Sequence, residues 1–145
     1  MVQPDIRIEA WFDCTREIVF NAWTSPEVIA TWFAAPPWTV ADLRMTAREG
    51  ETWWVEFLHP DGRRYREEGR FEAVSVPDRL VFSLQQVGLQ DASPVTSIAV
   101  TFHEAEGGTR VQFVQSGFQE IEHRHGNAAG WEGCFRLLRE TLALG

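Results

Sequence analysis

The chain has 145 residues, 44% of them hydrophobic and 23% charged, the size and make-up of one globular domain that can bury a core without disulfides or metals. Its formal net charge of -8 argues against a nucleic-acid partner, whose phosphates call for clustered positive charge, and no apolar run approaches the roughly 20 residues of a membrane span. All 13 basic residues are arginine, so lysine Schiff-base chemistry and a P-loop are excluded.

In chain order, Val2 to Asp13 alternates. Ile6, Ile8, Ala10 and Phe12 share one face and Arg7, Glu9, Trp11 and Asp13 the other, the pattern of a half-buried strand. Thr15 to Thr24 reads as a helix with Ile18, Val19, Ala22 and Trp23 on its apolar side. A second helix starts at Ser25-Pro26-Glu27, where Ser25 can cap, Pro26 suits the first helical position and Glu27 favours the positive end. Ile29, Trp32 and Phe33 form its buried side, and Pro36-Pro37 stops it. Strands follow. Trp38 to Met45 is the least regular of them, and Thr52 to Leu58 turns Trp53, Val55 and Phe57 one way and Trp54 and Glu56 the other. After the turn His59-Pro60-Asp61-Gly62, Arg64 to Val74 puts Tyr65, Glu67, Gly69, Phe71 and Ala73 on one face. Leu80, Phe82 and Leu84 share a face of the next strand, and a loop, Gly88 to Pro94, leads to Ile98, Val100 and Phe102. Glu106-Gly107-Gly108 turns the chain into a last strand with Val111, Phe113 and Gln115 on one side. Trp131, Cys134, Phe135, Leu138 and Leu142 then recur at helical period, with Asn127 as the candidate cap. Gly130 and Gly133 each weaken this helix by about 1 kcal/mol relative to alanine, a cost offset if its backbone approaches the sheet closely. Two short helices after the first strand, about six further strands and one long C-terminal helix predict a single-domain α+β fold of about seven antiparallel strands.

Several stretches are familiar as a set. Ala22-Trp23-Thr24-Ser25-Pro26-Glu27 followed by Trp32-Phe33, Arg48-Glu49-Gly50 with Trp53 and Pro60-Asp61-Gly62, and Gly69-Arg70-Phe71-Glu72 with Pro77-Asp78-Arg79-Leu80-Val81-Phe82 are three of them. Gly108-Thr109, Ser116-Gly117-Phe118 and Gly130-Trp131 complete the pattern. Together they resemble the AHSA-like family of the SRPBCC (START-like) superfamily, named after activators of a heat-shock chaperone ATPase. The resemblance covers essentially the whole chain. It implies a helix-grip fold, with the curved sheet wrapped around the long C-terminal helix and an internal apolar pocket between them. It implies no fixed reaction, because members range from ligand carriers to resistance proteins. Two departures fall near the pocket or its rim: Glu51 replaces the second glycine of a glycine pair, and Gln115 stands where relatives often carry histidine.

The inward faces nominate a ligand site. Its apolar wall would comprise Trp53, Phe57, Tyr65, Phe71, Phe113, Trp131 and Phe135, with Trp32, Phe33 and Trp38 crowding the mouth beside Trp53. Glu67 and Gln115 are the polar anchors. A carboxylate on that face has a raised pKa and can bind or protonate a ligand, unless a strand irregularity turns Glu67 outward or Arg48 pairs with it. Tyr65, the one tyrosine, can anchor a polar atom or simply bond to backbone.

Other features point to less. Glu67 and Glu68 face opposite ways and cannot act as an acid/base pair, and no GxSxG elbow is present. His123 and His125 lack a third ligand at metal spacing and read as loop histidines, while His59 and His103 read as solvated, so no metal and no cofactor is expected. Cys14 and Cys134 read as free thiols. Trp11 and Trp54 point outward, as in a homodimer surface or as isolated exposed aromatics. The segment Met1 to Asp5 lacks the basic and apolar regions of a signal peptide, so the expected location is the cytoplasm. The leading reading is a binding module for an apolar or aromatic small molecule. A chaperone or other protein partner ranks second, and an enzyme or sacrificial detoxifier using the same pocket third.

Overall fold

Alternation in the sequence becomes alternation in burial. In the computed structural model, which describes residues 2–88 and 92–144, β1 (Ile6–Phe12) buries Ile6, Ala10 and Phe12 and exposes Arg7, Glu9 and Trp11. Two short helices follow, α1 (Arg16–Ala22) and α2 (Pro26–Trp32), then six strands. These are β2 (Thr39–Arg44), β3 (Thr52–Leu58), β4 (Arg64–Ser75), β5 (Arg79–Val87), β6 (Thr96–Ala105) and β7 (Gly108–Ser116). The chain ends in α3 (Ile121–Leu144). The seven strands form one open antiparallel sheet in the order β1-β7-β6-β5-β4-β3-β2, curved around α3, so the α+β helix-grip architecture holds. Residues 89–91 of the expected Gly88–Pro94 loop lie outside the described residues.

Local chemistry sets the element ends. Thr15 caps α1 by accepting a hydrogen bond from the Ile18 amide. Pro26 opens α2 as expected, but Ser25 makes no side-chain cap and its hydroxyl donates to Glu27 instead, at 3.1 Å. In α1 it is Phe20 that turns inward with Val19 and Ala22, while Ile18 is 52% exposed. A helical turn has room for one apolar side, and the Phe20 ring takes it by packing edge-on to Phe102 at 5.2 Å. The irregularity expected in β2 is a register shift between Val40 and Asp42.

Asn127 is not a cap. α3 begins six residues earlier, at Ile121, and Asn127 lies inside it with its side chain turned toward the sheet. Gly133 sits where a Cβ would meet the Ala35 side chain at 2.8 Å, so the close approach is to the segment after α2 and not to the sheet. Gly69 is fixed more tightly: a Cβ there would lie 1.8 Å from the Ser83 carbonyl oxygen on β5. The outward tryptophans are engaged within the chain. Trp11 donates through Nε1 to the Ala105 carbonyl at 2.8 Å, and Arg66 lies over the Trp54 ring at 4.3 Å.

Candidate functional site

Between the sheet and the first half of α3 lies an open cleft of about 480 Å³. Six of the residues expected at the ligand site or its mouth line it: Phe33, Trp38, Phe57, Tyr65, Glu67 and Trp131. Tyr65 stacks on Phe57 at 4.7 Å and meets Trp38 edge-on at 4.9 Å, so three aromatic rings make one wall. Trp32, Trp53, Phe71, Phe113 and Phe135 lie elsewhere, buried in the core beside the cleft. Gln115 is also fully buried, one layer behind the cleft surface.

The opposite wall is α3. His123, Gly126, Asn127, Gly130, Trp131 and Cys134 line the cleft. The glycines are why there is space: a Cβ at Gly126 or Gly130 would meet nothing within 4 Å. Cys134 is held at the base, its thiol donating to the Phe33 carbonyl at 3.3 Å. Burial, and then the charge of Glu67, push that thiol above its usual range and leave it un-ionised. Burial likewise raises the Tyr65 phenol, with Glu67 adding to the shift.

A chain of amides joins the two walls. Gln86, the cross-strand partner of Glu67, donates from Nε2 to Glu67 Oε2 at 2.9 Å and to Asn127 Oδ1 at 3.2 Å. Its Oε1 accepts from the Ser93 hydroxyl at 3.1 Å and lies 2.9 Å from His123 Nε2. An amide oxygen carries no proton, so His123 is the donor there. Gln115 donates to Asn127 Oδ1 at 3.1 Å and to the Thr96 hydroxyl at 3.0 Å, and its oxygen accepts from Trp131 Nε1 at 2.9 Å. Gln115 therefore positions the cleft residues Asn127 and Trp131.

Glu67 is the one acid held in this network. Part of the residue still meets solvent through the cleft, but desolvation of the carboxyl raises its pKa from 4.5 to about 7, against a smaller opposing effect of the Gln86 hydrogen bond. Its partner is Gln86; Arg48 is exposed and takes no part. His123 is a half-buried helix residue, which corrects its reading as a loop histidine, and burial lowers its pKa so that it is neutral at pH 7. His59 is likewise not a solvated turn residue: it is half-buried, its ring edge-on to Trp38 at 4.9 Å. The site thus offers an acid that gains or loses a proton near neutrality beside a flat aromatic wall. Among the described residues no three His, Cys, Asp or Glu side chains cluster as metal ligands.

Gln86, His123 and Asn127 were missed in the sequence, and the signals were there. Gln86 continues the inward series Leu80, Phe82, Leu84 by one more step of two. Asn127 and His123 precede Trp131 by four and eight residues, on the same side of the helix.

A family profile described as Activator of Hsp90 ATPase homolog 1-like protein matches residues 13–143. Among solved structures, the AHSA1 protein of Silicibacter pomeroyi superposes with a TM-score of 0.87 at 19% identity, over 97% of this chain and 99% of that one. A protein from Nitrosomonas europaea gives 0.82 at 22% identity over 97% and 94%, and one from Arthrobacter aurescens 0.85 at 21% over 100% and 92%. At these identities the likeness is one of fold. None of the curated proteins compared with the chain matches it.

Proposed function

The chain belongs to the Activator of Hsp90 ATPase homolog 1-like family, and from that premise we propose that it binds a small, flat, mainly apolar molecule in the cleft between the sheet and α3. One observation carries the reading: a space of about 480 Å³ walled by aromatic rings, with a single carboxyl near neutrality at its polar end. Small-molecule sites are typically clefts of roughly 300–1,000 Å³, mostly apolar, with a few placed polar groups. The Phe57–Tyr65 stack matches a planar ligand. Gln86, Asn127 and Gln115 hold the polar end in place before anything binds, which lowers the ordering cost of binding.

Filling the cleft tests this. Gly130→Leu places a side chain into open space and suits a helix. Naphthalene derivatives should quench tryptophan fluorescence saturably in the wild type, because Trp38 and Trp131 line the cleft. In Gly130→Leu the quenching should vanish while the urea unfolding midpoint does not fall. Equal quenching of both proteins would place binding outside the cleft.

A further inference from the structure

We infer that the ligand of the cleft is a cation, an organic amine or ammonium whose apolar body lies on the aromatic wall and whose charged head meets Glu67. This rests on the cleft being a binding site, as proposed above, and adds the sign of the charge.

Among the described residues the cleft carries two carboxyl groups, Glu67 within and Glu122 at the exposed rim, and no arginine lines it. All 13 basic residues of the chain are arginine and lie within the described residues. The Arg63 guanidinium lies over the Trp38 ring at 5.4 Å, and its Nε is paired with Asp61 at 2.8 Å. Residues 89–91 are Leu, Gln and Asp, none of them basic.

A carboxyl withdrawn from water is ordinarily matched by a cation. Here the partner of Glu67 is the neutral amide of Gln86, and the partner of that amide on α3 is a neutral imidazole. A ligand cation supplies the missing charge. An anionic ligand would meet two like charges, and a neutral one would gain nothing from the ionisation of Glu67. Cations are drawn to aromatic rings, and Trp38, Phe57, Tyr65 and Trp131 line the same space as Glu67. The net charge of -8 draws cations toward the protein from a distance.

Three probes of one shape decide the matter: 1-naphthylmethylamine, 1-naphthylmethanol and 1-naphthoate, titrated calorimetrically at pH 8. The amine should bind at least about tenfold more tightly than the alcohol, a difference of about 1.4 kcal/mol, and the carboxylate most weakly. Raising the pH from 6 to 8 should strengthen the amine about tenfold, because the ionised fraction of a carboxyl at about 7 rises that much. The alcohol should not respond. The titratable groups facing Glu67 are Tyr65 on β4 and His123, Cys134 and the rim Glu122 on α3; β5 contributes the neutral Gln86. Tyr65 and Cys134 stay protonated across this range and His123 stays neutral at its upper end, so Glu67→Gln should abolish both the pH response and the advantage of the amine. An alcohol that binds as well as the amine, or a carboxylate that binds best, overturns the cationic ligand and leaves the cleft reading standing. If none of the three binds, both fall. The wild-type pH profile decides the question even if Glu67→Gln does not fold.

Discussion

The two halves of α3 face different surroundings. Around Phe135 and Leu138 the helix closes on a solid core, where Trp23 packs against Trp32 at 4.6 Å, Phe135 at 5.8 Å and Phe113 at 6.1 Å. The neighbouring space among Trp23, Ile29, Trp53 and Phe71 holds a void of about 10 Å³. Around His123 to Trp131 the same helix borders about 480 Å³ of open cleft and a buried polar network. The difference teaches where stability and function are lodged. Dense aromatic packing ties helix to sheet at one end, so the other end can keep empty volume and a desolvated acid without the fold coming apart.

The sharpest break of this contrast would come at Trp23. Trp23→Ala should lose about 3–5 kcal/mol in urea unfolding, and a loss below about 1 kcal/mol would mean that the packed end does not anchor the helix. At the cleft the sign reverses. The folded chain holds the Glu67 proton up to about pH 7, whereas the unfolded chain releases it near 4.5. Stability should therefore fall as the pH climbs between those values and stay level above them. Glu67→Gln cannot ionise, so at pH 8 it should exceed the wild type by up to about 3 kcal/mol, with no difference at pH 4. Two glycines give the smaller effects. Gly69→Ala drives a methyl into the Ser83 carbonyl and should cost about 1–3 kcal/mol. Gly130→Ala meets nothing and should gain about 1 kcal/mol in the same unfolding assay.

The strands were legible because burial repeats with their period, and Glu67 was legible as an acid on an apolar face. Gly69 misleads in the same alternation. Its position beside Tyr65 and Phe71 suggests a cavity wall, but the Ser83 carbonyl of the neighbouring strand lies against it. How closely two strand backbones approach is a property of both strands together, and one strand's sequence does not show it. The start of α3 was hidden for a related reason. Its first turns carry polar side chains and glycine because they border the cleft, so the apolar stripe that marks a helix begins only at Trp131. The residues that make the site are those that erase the pattern used to find the helix.

β1 is the one strand whose sheet neighbour is remote in the chain: Ile6 pairs opposite Gln115, while every other adjacent pair is consecutive. A ribosome adding about 5–20 residues per second makes β1 long before β7 exists. In that interval Ile6, Ala10 and Phe12 have no native ladder, while the hairpins from β2 to β6 can form in the order they emerge. The sheet is completed on both sides of β7 only when that strand appears, and α3 follows at once to cover it. Native closure thereby waits for β7, and a chain lacking the residues from Gly108 onward would leave β1 without its sheet partner.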